Sequence, residues 1–392
     1  MIYSEISGLK ISKLGFGTMR LPLNADETID QNQVEEMVKL AIDNGVNYFD
    51  TAWPYHKGLS EISIGKALSK YPRDSYYLAD KYPGHQISSS YNPKEIFEKQ
   101  LKKCNVDYFD FYLLHNIYEN DMHVYEDPKW GIIDYFVEQK KIGKIKHLGF
   151  SSHAHTDNLE AFLDRHPGLF NFCQIQLNYV DWDLQDGKKK VEILNERNIP
   201  IWVMEPVRGG KLSSFDEETN TKFKSYRADD SISSWAFNYL LSINGIGVIL
   251  SGMSNIEQME DNIKTFSNPK PLNEEETKLV FDVAKKLSTS VPCTRCRYCC
   301  DGCPMGLDIP RLIATYNELK ISRSFNATMF LDALDSSKWP SACLKCGACM
   351  QICPQGINIP DILQDLTNII NEMPTWKDIC KQREEDSKRN GD

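Results

Sequence analysis

Eight short apolar runs alternate with eight helical patterns along the first three-quarters of this 392-residue chain, and that rhythm restricts the fold more than any other feature. The runs are residues 14–19, 46–50, 76–80, 109–114, 145–150, 173–177, 201–204 and 247–251. The helical patterns between and after them centre near Val38, Ile64, Phe97, Phe136, Leu159, Val191, Ala236 and Met259. Strict alternation argues for βα units around a parallel sheet. A doubly wound open sheet alternates too. Eight regular units behind an N-terminal hairpin (residues 3–6 and 10–13) favour closure into a (β/α)8 TIM barrel. A last helical pattern at 274–287 leads out of it, so the first domain is expected to be 1–287.

In such a barrel the chemistry gathers where strands end. The second run ends in Asp50, with Tyr55 just beyond; Lys81 follows the third run and His115 the fourth. Any one of these alone reads as a buried polar group satisfied by a neighbour. Four at one rim read as a site for carbonyl reduction. A carbonyl that receives hydride needs a proton on its oxygen, and a tyrosine hydroxyl is a weak acid at its free pKa of about 10. A lysine ammonium beside it lowers that pKa. Asp50 would hold Lys81 charged, and His115 would hydrogen-bond the carbonyl oxygen. The long loops over the mouth (53–60, 82–92, 116–130 and 212–229) show no pattern that identifies a substrate.

The segments Leu14-Gly15-Phe16-Gly17-Thr18-Met19 and Gly45-Val46-Asn47-Tyr48-Phe49-Asp50-Thr51-Ala52 with Tyr55 resemble the aldo-keto reductase family. So do Leu113-Leu114-His115, Met204-Glu205-Pro206 and Gly209-Gly210-Lys211-Leu212. The resemblance runs from about Ile11 to Phe266. It implies that Asp50, Tyr55, Lys81 and His115 are the catalytic residues and that a nicotinamide cofactor, NADP(H) or NAD(H), lies extended across the mouth. It implies a carboxamide held by Ser151 and Gln174, with Ser152 beside them. Further contacts are implied from Gly17, Thr18 and Met19, from Met204, Glu205, Pro206, Arg208, Gly210 and Lys211, and from Gly252, Ser254, Gln258 and Asn262. Three positions depart from the family pattern. Ser152 stands where Asn is frequent, and Met204 stands where an aromatic ring often stacks on the nicotinamide. The stretch 252–258 has no basic residue to grip a 2′-phosphate. NADPH and NADH both stay open.

The twelve cysteines are unevenly placed: Cys104 and Cys173 lie in the barrel region, and the other ten lie between Cys293 and Cys380. Eight of those ten form two runs, Cys293-x2-Cys296-x2-Cys299-x3-Cys303-Pro304 and Cys343-x2-Cys346-x2-Cys349-x3-Cys353-Pro354. Each is the bacterial ferredoxin pattern for a [4Fe-4S] cluster. Structural zinc sites use two CxxC pairs rather than runs of four followed by proline. The first three thiolates of a run serve one cluster, while the fourth serves the neighbouring one. One cluster is therefore expected on Cys293, Cys296, Cys299 and Cys353, and the other on Cys343, Cys346, Cys349 and Cys303. The register continues past the cysteines: Pro304-x-Gly306-Leu307-Asp308-Ile309-Pro310 returns as Pro354-x-Gly356-Ile357-Asn358-Ile359-Pro360. This is an internal duplication with Asp308 and Asn358 as expected helix N-caps. The helical insert after the first run makes the module similar to helical ferredoxin-type domains of respiratory and methanogenic redox enzymes. Residues 288–375 are the expected iron-sulfur domain, and 376–392 read as a charged, disordered tail. Cys300 reads as a bystander or as an alternative ligand in a damaged cluster, and Cys104, Cys173 and Cys380 read as ordinary thiols.

The formal net charge of −10 disfavours nucleic acid as a partner. No apolar run approaches the roughly 18 residues of a membrane span, and the start carries no signal-peptide pattern, so a cytoplasmic location is expected. The expected activity is NAD(P)H-dependent reduction of a small carbonyl compound, or the reverse alcohol oxidation. Nicotinamide moves two electrons and a cluster one, so electron transfer through the clusters would call for a ferredoxin or flavin partner. The alternative is a redox-sensing or adaptor protein whose barrel binds nicotinamide and whose clusters are structural or sensory.

Overall fold

The computed structural model describes residues 1–119, 121–288, 291–293, 295–353 and 355–390. An antiparallel hairpin, β1 (Tyr3–Ile6) and β2 (Leu9–Ser12), comes first. Eight strands follow: β3 (Leu14–Gly17), β4 (Tyr48–Asp50), β5 (Tyr77–Tyr82), β6 (Phe109–Ile117), β7 (Ile145–Ser152), β8 (Cys173–Gln176), β9 (Ile201–Met204) and β10 (Ile246–Ser251). They close in the order β10-β3-β4-β5-β6-β7-β8-β9, every neighbouring pair parallel. The fold is an eight-stranded parallel barrel with helices around it.

The strands read as mainly apolar runs because the barrel interior covers one face and the helices cover the other. In β6 every residue but His115 is buried. Tyr48, Phe111, Phe172, Trp202 and Val248 fill the interior, and Ile6, Leu9 and Ile11 of the hairpin pack against the same cluster. The helices repeat one logic. In Gln31–Asp43, the Asp30 side chain accepts from Gln33 N and caps the first turn, while Val34, Met37, Val38 and Ala41 bury one stripe. Where the helices Ser60–Leu68 and Pro93–Cys104 cross, a Cβ on Gly65 would lie 2.6 Å from the Cys104 carbonyl oxygen, so only glycine permits the approach.

The chain forms two compact units: Met1–Thr277 with Cys380–Asp392, and Lys278–Ile379. These bounds differ from 1–287, 288–375 and 376–392. The helix Glu274–Ser288 spans the first expected boundary without a break, and the expected disordered tail is a helix, Trp376–Arg389. Thr375 and Asp378 cap it reciprocally: Thr375 Oγ1 donates to Asp378 Oδ2 and accepts from Asp378 N. The pairing of Lys388 with Glu384 adds i,i+4 support. Cys380 and Asp386 are buried, which a purely charged tail would not be.

In the second unit the duplication extends to the backbone. Arg295, Arg297 and Gly306 have positive φ, and so do Lys345, Gly347 and Gly356, each 50 positions later. Short helices Tyr298–Asp301 and Ala348–Ile352 and longer ones Ile309–Ile321 and Ile359–Asn371 follow in parallel. The core repeats likewise: Leu307 with Ile357, Ile309 with Ile359, Ile313 with Leu363, and Leu319 with Ile369. Asp308 and Asn358 occupy the N-cap positions, but neither side chain caps its helix. Pro310 and Pro360 have no N–H to offer, Asp308 pairs with Arg297 at 3.1 Å, and Asn358 donates to Asp361.

Candidate active site and cluster cavities

Three strand ends bring the expected tetrad together. Lys81 and Asp50 alternate inward on β5 and β4, both buried, with Lys81 Nζ 2.5 Å from Asp50 Oδ1. The same ammonium donates to Thr51 O at 2.6 Å and lies 5.0 Å from the Tyr55 ring centroid. Tyr55 opens a tight turn in which His56 and Lys57 both adopt left-handed backbone (φ 49° and 57°). Non-glycine residues resist that region by about 1–2 kcal/mol each. His56 Nε2 holds the turn by accepting from Leu21 N at 3.0 Å. The His115 ring stands edge-on to Tyr55 with centroids 6.0 Å apart.

The electrostatics follow from burial. Burial lowers the Lys81 pKa, but the Asp50 carboxylate, followed by Tyr55, opposes it, and Lys81 ends above its ordinary value. Burial raises Tyr55, with Lys81 pulling the other way, and the net direction is upward. Lys81 lowers it as the sequence implies, but taking a phenolate out of water weighs more than one neighbouring ammonium. His115 is held far below the usual histidine range, by burial first and then by His85 and Lys81, so its imidazole is neutral. Its Nδ1 has no hydrogen-bond partner among the described residues.

Sequence reasoning missed His85. It sits three residues past β5, with its ring centroid 4.3 Å from that of His115, and is itself neutral through burial. Position after a strand end was the only signal for it. Arg20 was missed as well: its guanidinium is 3.8 Å from Glu205, and its stem runs beside Gly252, between the loops that follow β9 and β10.

The cofactor positions divide. Ser151 and Gln174 are register partners on β7 and β8. Gln174 Oε1 is buried with no partner among the described residues, an acceptor suited to a carboxamide NH2. Gln174 Nε2 contacts the Met204 sulfur at 3.5 Å. Other side chains are engaged within the fold. Ser151 accepts from Asn116 N, Ser152 bonds Ile117 O and Ala154 N, and Thr18 bonds Asp50 O and Ser60. Arg208 pairs with buried Asp181 at 3.1 Å, Gln258 accepts from Ser254 N, and Asn262 donates to Ser251. Met19, Gly210, Lys211 and Gly252 are exposed at the same rim. Beside Asn255–Glu257 lies a polar cleft whose charged lining is Asp30, Glu36 and Glu257, without a lysine or arginine.

The eight motif cysteines line two separate cavities. One carries Cys293, Cys296, Cys299 and Cys353, and the other carries Cys303, Cys343, Cys346 and Cys349. Each takes three thiols from one run and the fourth from the other, with Ile313, Ile357 and Ile359 or Leu307, Ile309 and Leu363 supplying an apolar wall. Among the described residues no three His, Cys, Asp or Glu groups converge as a single metal ion requires. The thiols surround a space instead, which suits a four-iron core. Cys300 lines neither cavity.

Residues 13–284 match the model of the aldo/keto reductase family, and residues 292–357 match that of the 4Fe-4S dicluster domain. The chain belongs to the aldo/keto reductase family and is an oxidoreductase that carries a 4Fe-4S domain. It is 28% identical over 231 residues to probable aldo-keto reductase 1 of Glycine max, a match covering 56% of this chain and 64% of that protein, less than two thirds of its length. It is 27% identical over 310 residues to the uncharacterized oxidoreductase YqkF of Bacillus subtilis (strain 168), covering 71% of this chain and 95% of the other. Among solved structures, the holo form of aldo-keto reductase AKR11C1 from Bacillus halodurans superposes with a TM-score of 0.59 at 25% identity, over 73% of this chain and 97% of that one. Among the described residues no helix is long and apolar enough to cross a membrane.

Proposed function

We propose that the barrel reduces a small carbonyl compound with hydride from a nicotinamide nucleotide, and runs the reverse alcohol oxidation, with Tyr55 as the proton donor. The observation that carries this reading is the Lys81 ammonium, fixed between Asp50 Oδ1 and Thr51 O beneath the Tyr55 ring. Its position stabilises negative charge on the Tyr55 oxygen as the proton leaves for the carbonyl oxygen. Asp50 keeps the ammonium charged and stationary. Neutral His115 holds the carbonyl oxygen by a hydrogen bond, and His85 packs against its ring. A bound nicotinamide would supply a hydride, which carries both electrons, to the carbonyl carbon, and Tyr55 supplies the proton to its oxygen, so the product is an alcohol. Gln174 Oε1 would receive the carboxamide and Ser151 lies beside it. The acidic cleft at Asp30, Glu36 and Glu257 suits a ribose diol better than a 2′-phosphate, which makes NADH the favoured donor.

The second unit would hold two [4Fe-4S] clusters in the crosswise cysteine sets. Cys296 and Cys346 are exposed, as is Leu344 beside the second set, which leaves each cluster an open edge toward an external one-electron carrier, a ferredoxin or a flavoprotein. The test is anaerobic and uses the whole protein. Cluster and nicotinamide absorbance are followed together with NADH or NADPH, before and after an aldehyde is added. Nicotinamide oxidation that depends on the aldehyde and falls at least ~10²-fold in Tyr55→Phe is the expected result. Unchanged turnover in that variant removes Tyr55 from the chemistry, and faster turnover with NADPH removes the NADH preference. Clusters that never change, with or without a flavin or ferredoxin acceptor, leave them structural or sensory.

A further inference from the structure

The backbone of Lys81 is held by side chains where the sheet stops. Strand β4 ends at Asp50, and its register with β5 ends at Ala79. One more ladder bond follows, from Thr51 N to Ala79 O at 3.0 Å. The next bond of a parallel ladder would run from Lys81 N to Thr51 O. That oxygen receives the Lys81 ammonium instead, at 2.6 Å. Lys81 N and Lys81 O therefore face the place that β4 has left, and a buried amide left unpaired costs free energy. Two side chains on the helix-facing side of β5 take the place of the strand. Asp80 Oδ1 accepts from Lys81 N at 2.8 Å, and Gln100 Nε2 donates to Lys81 O at 3.0 Å.

These two side chains are fixed in turn. Tyr112 OH donates to Gln100 Oε1 at 2.5 Å, and the second hydrogen on Gln100 Nε2 goes to Glu61 Oε1 at 3.0 Å. The carboxyls of Glu61 and Asp80 hydrogen-bond each other. Glu61, Asp80, Gln100 and Tyr112 are all fully buried. Lys103 pairs with Glu61 Oε2 at 3.3 Å, while the charge of Lys81 is committed to Asp50. Two buried carboxylates against one lysine would leave a negative charge without water, and one carboxylate cannot donate to another. A proton must lie between them. It belongs to Asp80, which burial first and Glu61 second hold far above the carboxylate range. Burial raises Glu61 too, but Lys103 opposes it.

We propose that Asp80 and Gln100 are positioning residues for carbonyl reduction: Asp80, protonated and donating to Glu61, and Gln100 hold the two backbone groups of Lys81 that β4 has released, and so keep its ammonium between Asp50 and Tyr55. The proposal rests on the reading of Lys81 as the group that stabilises charge on the Tyr55 oxygen. Neither residue touches substrate; both act through Lys81 from the outer face of β5.

The test uses the full-length holoprotein without oxygen, with butanol and NAD or NADP in the oxidation direction. Asp80→Val removes the acceptor of Lys81 N and leaves Glu61 paired with Lys103, so no lone charge is created. Its kcat should fall about 10- to 100-fold near pH 7 with KM within about twofold, because the ammonium and not the substrate is misplaced. The deficit should shrink as pH rises, since a displaced ammonium stabilises the Tyr55 phenolate less and moves its ionisation upward. A protein that is only less folded would lose the same fraction at every pH. Asp80→Asn should restore most of the lost rate, because its amide accepts from Lys81 N and donates to Glu61 as the protonated acid does. The infrared difference between wild type and Asp80→Asn at pH 7, taken without substrate, should contain the carbonyl band of a carboxylic acid. Carboxylate bands in its place overturn the shared proton. The positioning role is overturned by an Asp80→Val enzyme with wild-type kcat, by a deficit independent of pH, or by an Asp80→Asn enzyme as slow as Asp80→Val. Failure of the underlying reading looks different: Tyr55→Phe would then turn over at the wild-type rate.

Discussion

Replacing Lys81 with methionine tests the electrostatic frame of the site. Lys81 is fully buried and the Asp50 side chain is 3% exposed, so the substitution leaves a carboxylate with no counter-charge inside the barrel. It removes the contact at 2.5 Å to Asp50 and the bond at 2.6 Å to Thr51 O. Breaking one side of a buried pair costs about 3–5 kcal/mol, more than the pair contributes over an apolar replacement, because the orphaned charge bears the desolvation. For a domain this large each kcal/mol is worth roughly 2–4 °C. The apparent Tm of Lys81→Met should therefore fall on the order of 10 °C at pH 8, followed by circular dichroism at one scan rate under anaerobic conditions. The defect should shrink at lower pH. Without Lys81, burial holds the folded-state pKa of Asp50 above the ~3.9 of the unfolded chain. The stabilising effect of protonation is then fully present below that value and is lost as pH rises through the folded pKa. Asp50→Asn/Lys81→Met should recover much of the loss, since no lone charge remains. A Lys81→Met protein that melts with wild type, or a double variant whose loss is the sum of the two single losses, would refute the coupled buried pair.

Three other outcomes are expected. Carbonyl reduction should be flat between about pH 6 and 9 and alcohol oxidation should climb through that range, because burial holds Tyr55 above its ordinary pKa and His115 neutral; a reduction rate that falls between pH 7 and 8 contradicts this. Cys353→Ser should lower anaerobic iron content by about half and remove the cluster set by Cys293, Cys296 and Cys299, with the opposite cluster still visible by electron paramagnetic resonance; loss of the cluster on Cys343, Cys346 and Cys349 instead would overturn the crosswise assignment. Gly65→Ala should destabilise by about 1–3 kcal/mol although alanine favours helix, since its Cβ meets the Cys104 backbone; a melting temperature equal to or above wild type counts against that packing.

Much of this architecture is legible along the chain because it is periodic or local. The eight barrel strands fall on the eight apolar runs, since a strand covered on both faces can contain little else, and the helices follow from stripes such as Val34, Met37, Val38 and Ala41. The cysteine runs carry their own spacing, and the 50-residue repeat reaches into backbone conformation. Asp50, Tyr55, Lys81 and His115 could be selected because a barrel strand delivers whatever follows it to one rim. Features that depend on distant partners were not legible. The charge cluster 376–392 reads as solvated tail, because nothing local tells that Cys380 and Asn390 meet Ile87 and Lys57, about three hundred positions earlier. Arg208 and Ser152 look available in sequence and are committed to Asp181 and Ile117 in the fold. The direction of the Tyr55 shift likewise belongs to tertiary structure, since the motif names its ammonium neighbour but not the depth of burial. Composition, period and motif spacing by themselves determined the barrel, the duplicated cysteine module and the rim where Asp50, Tyr55, Lys81 and His115 meet. Packing decided which polar groups still have an atom to offer and which way their protons lean, because desolvation and long-range contact exist only once the chain has closed.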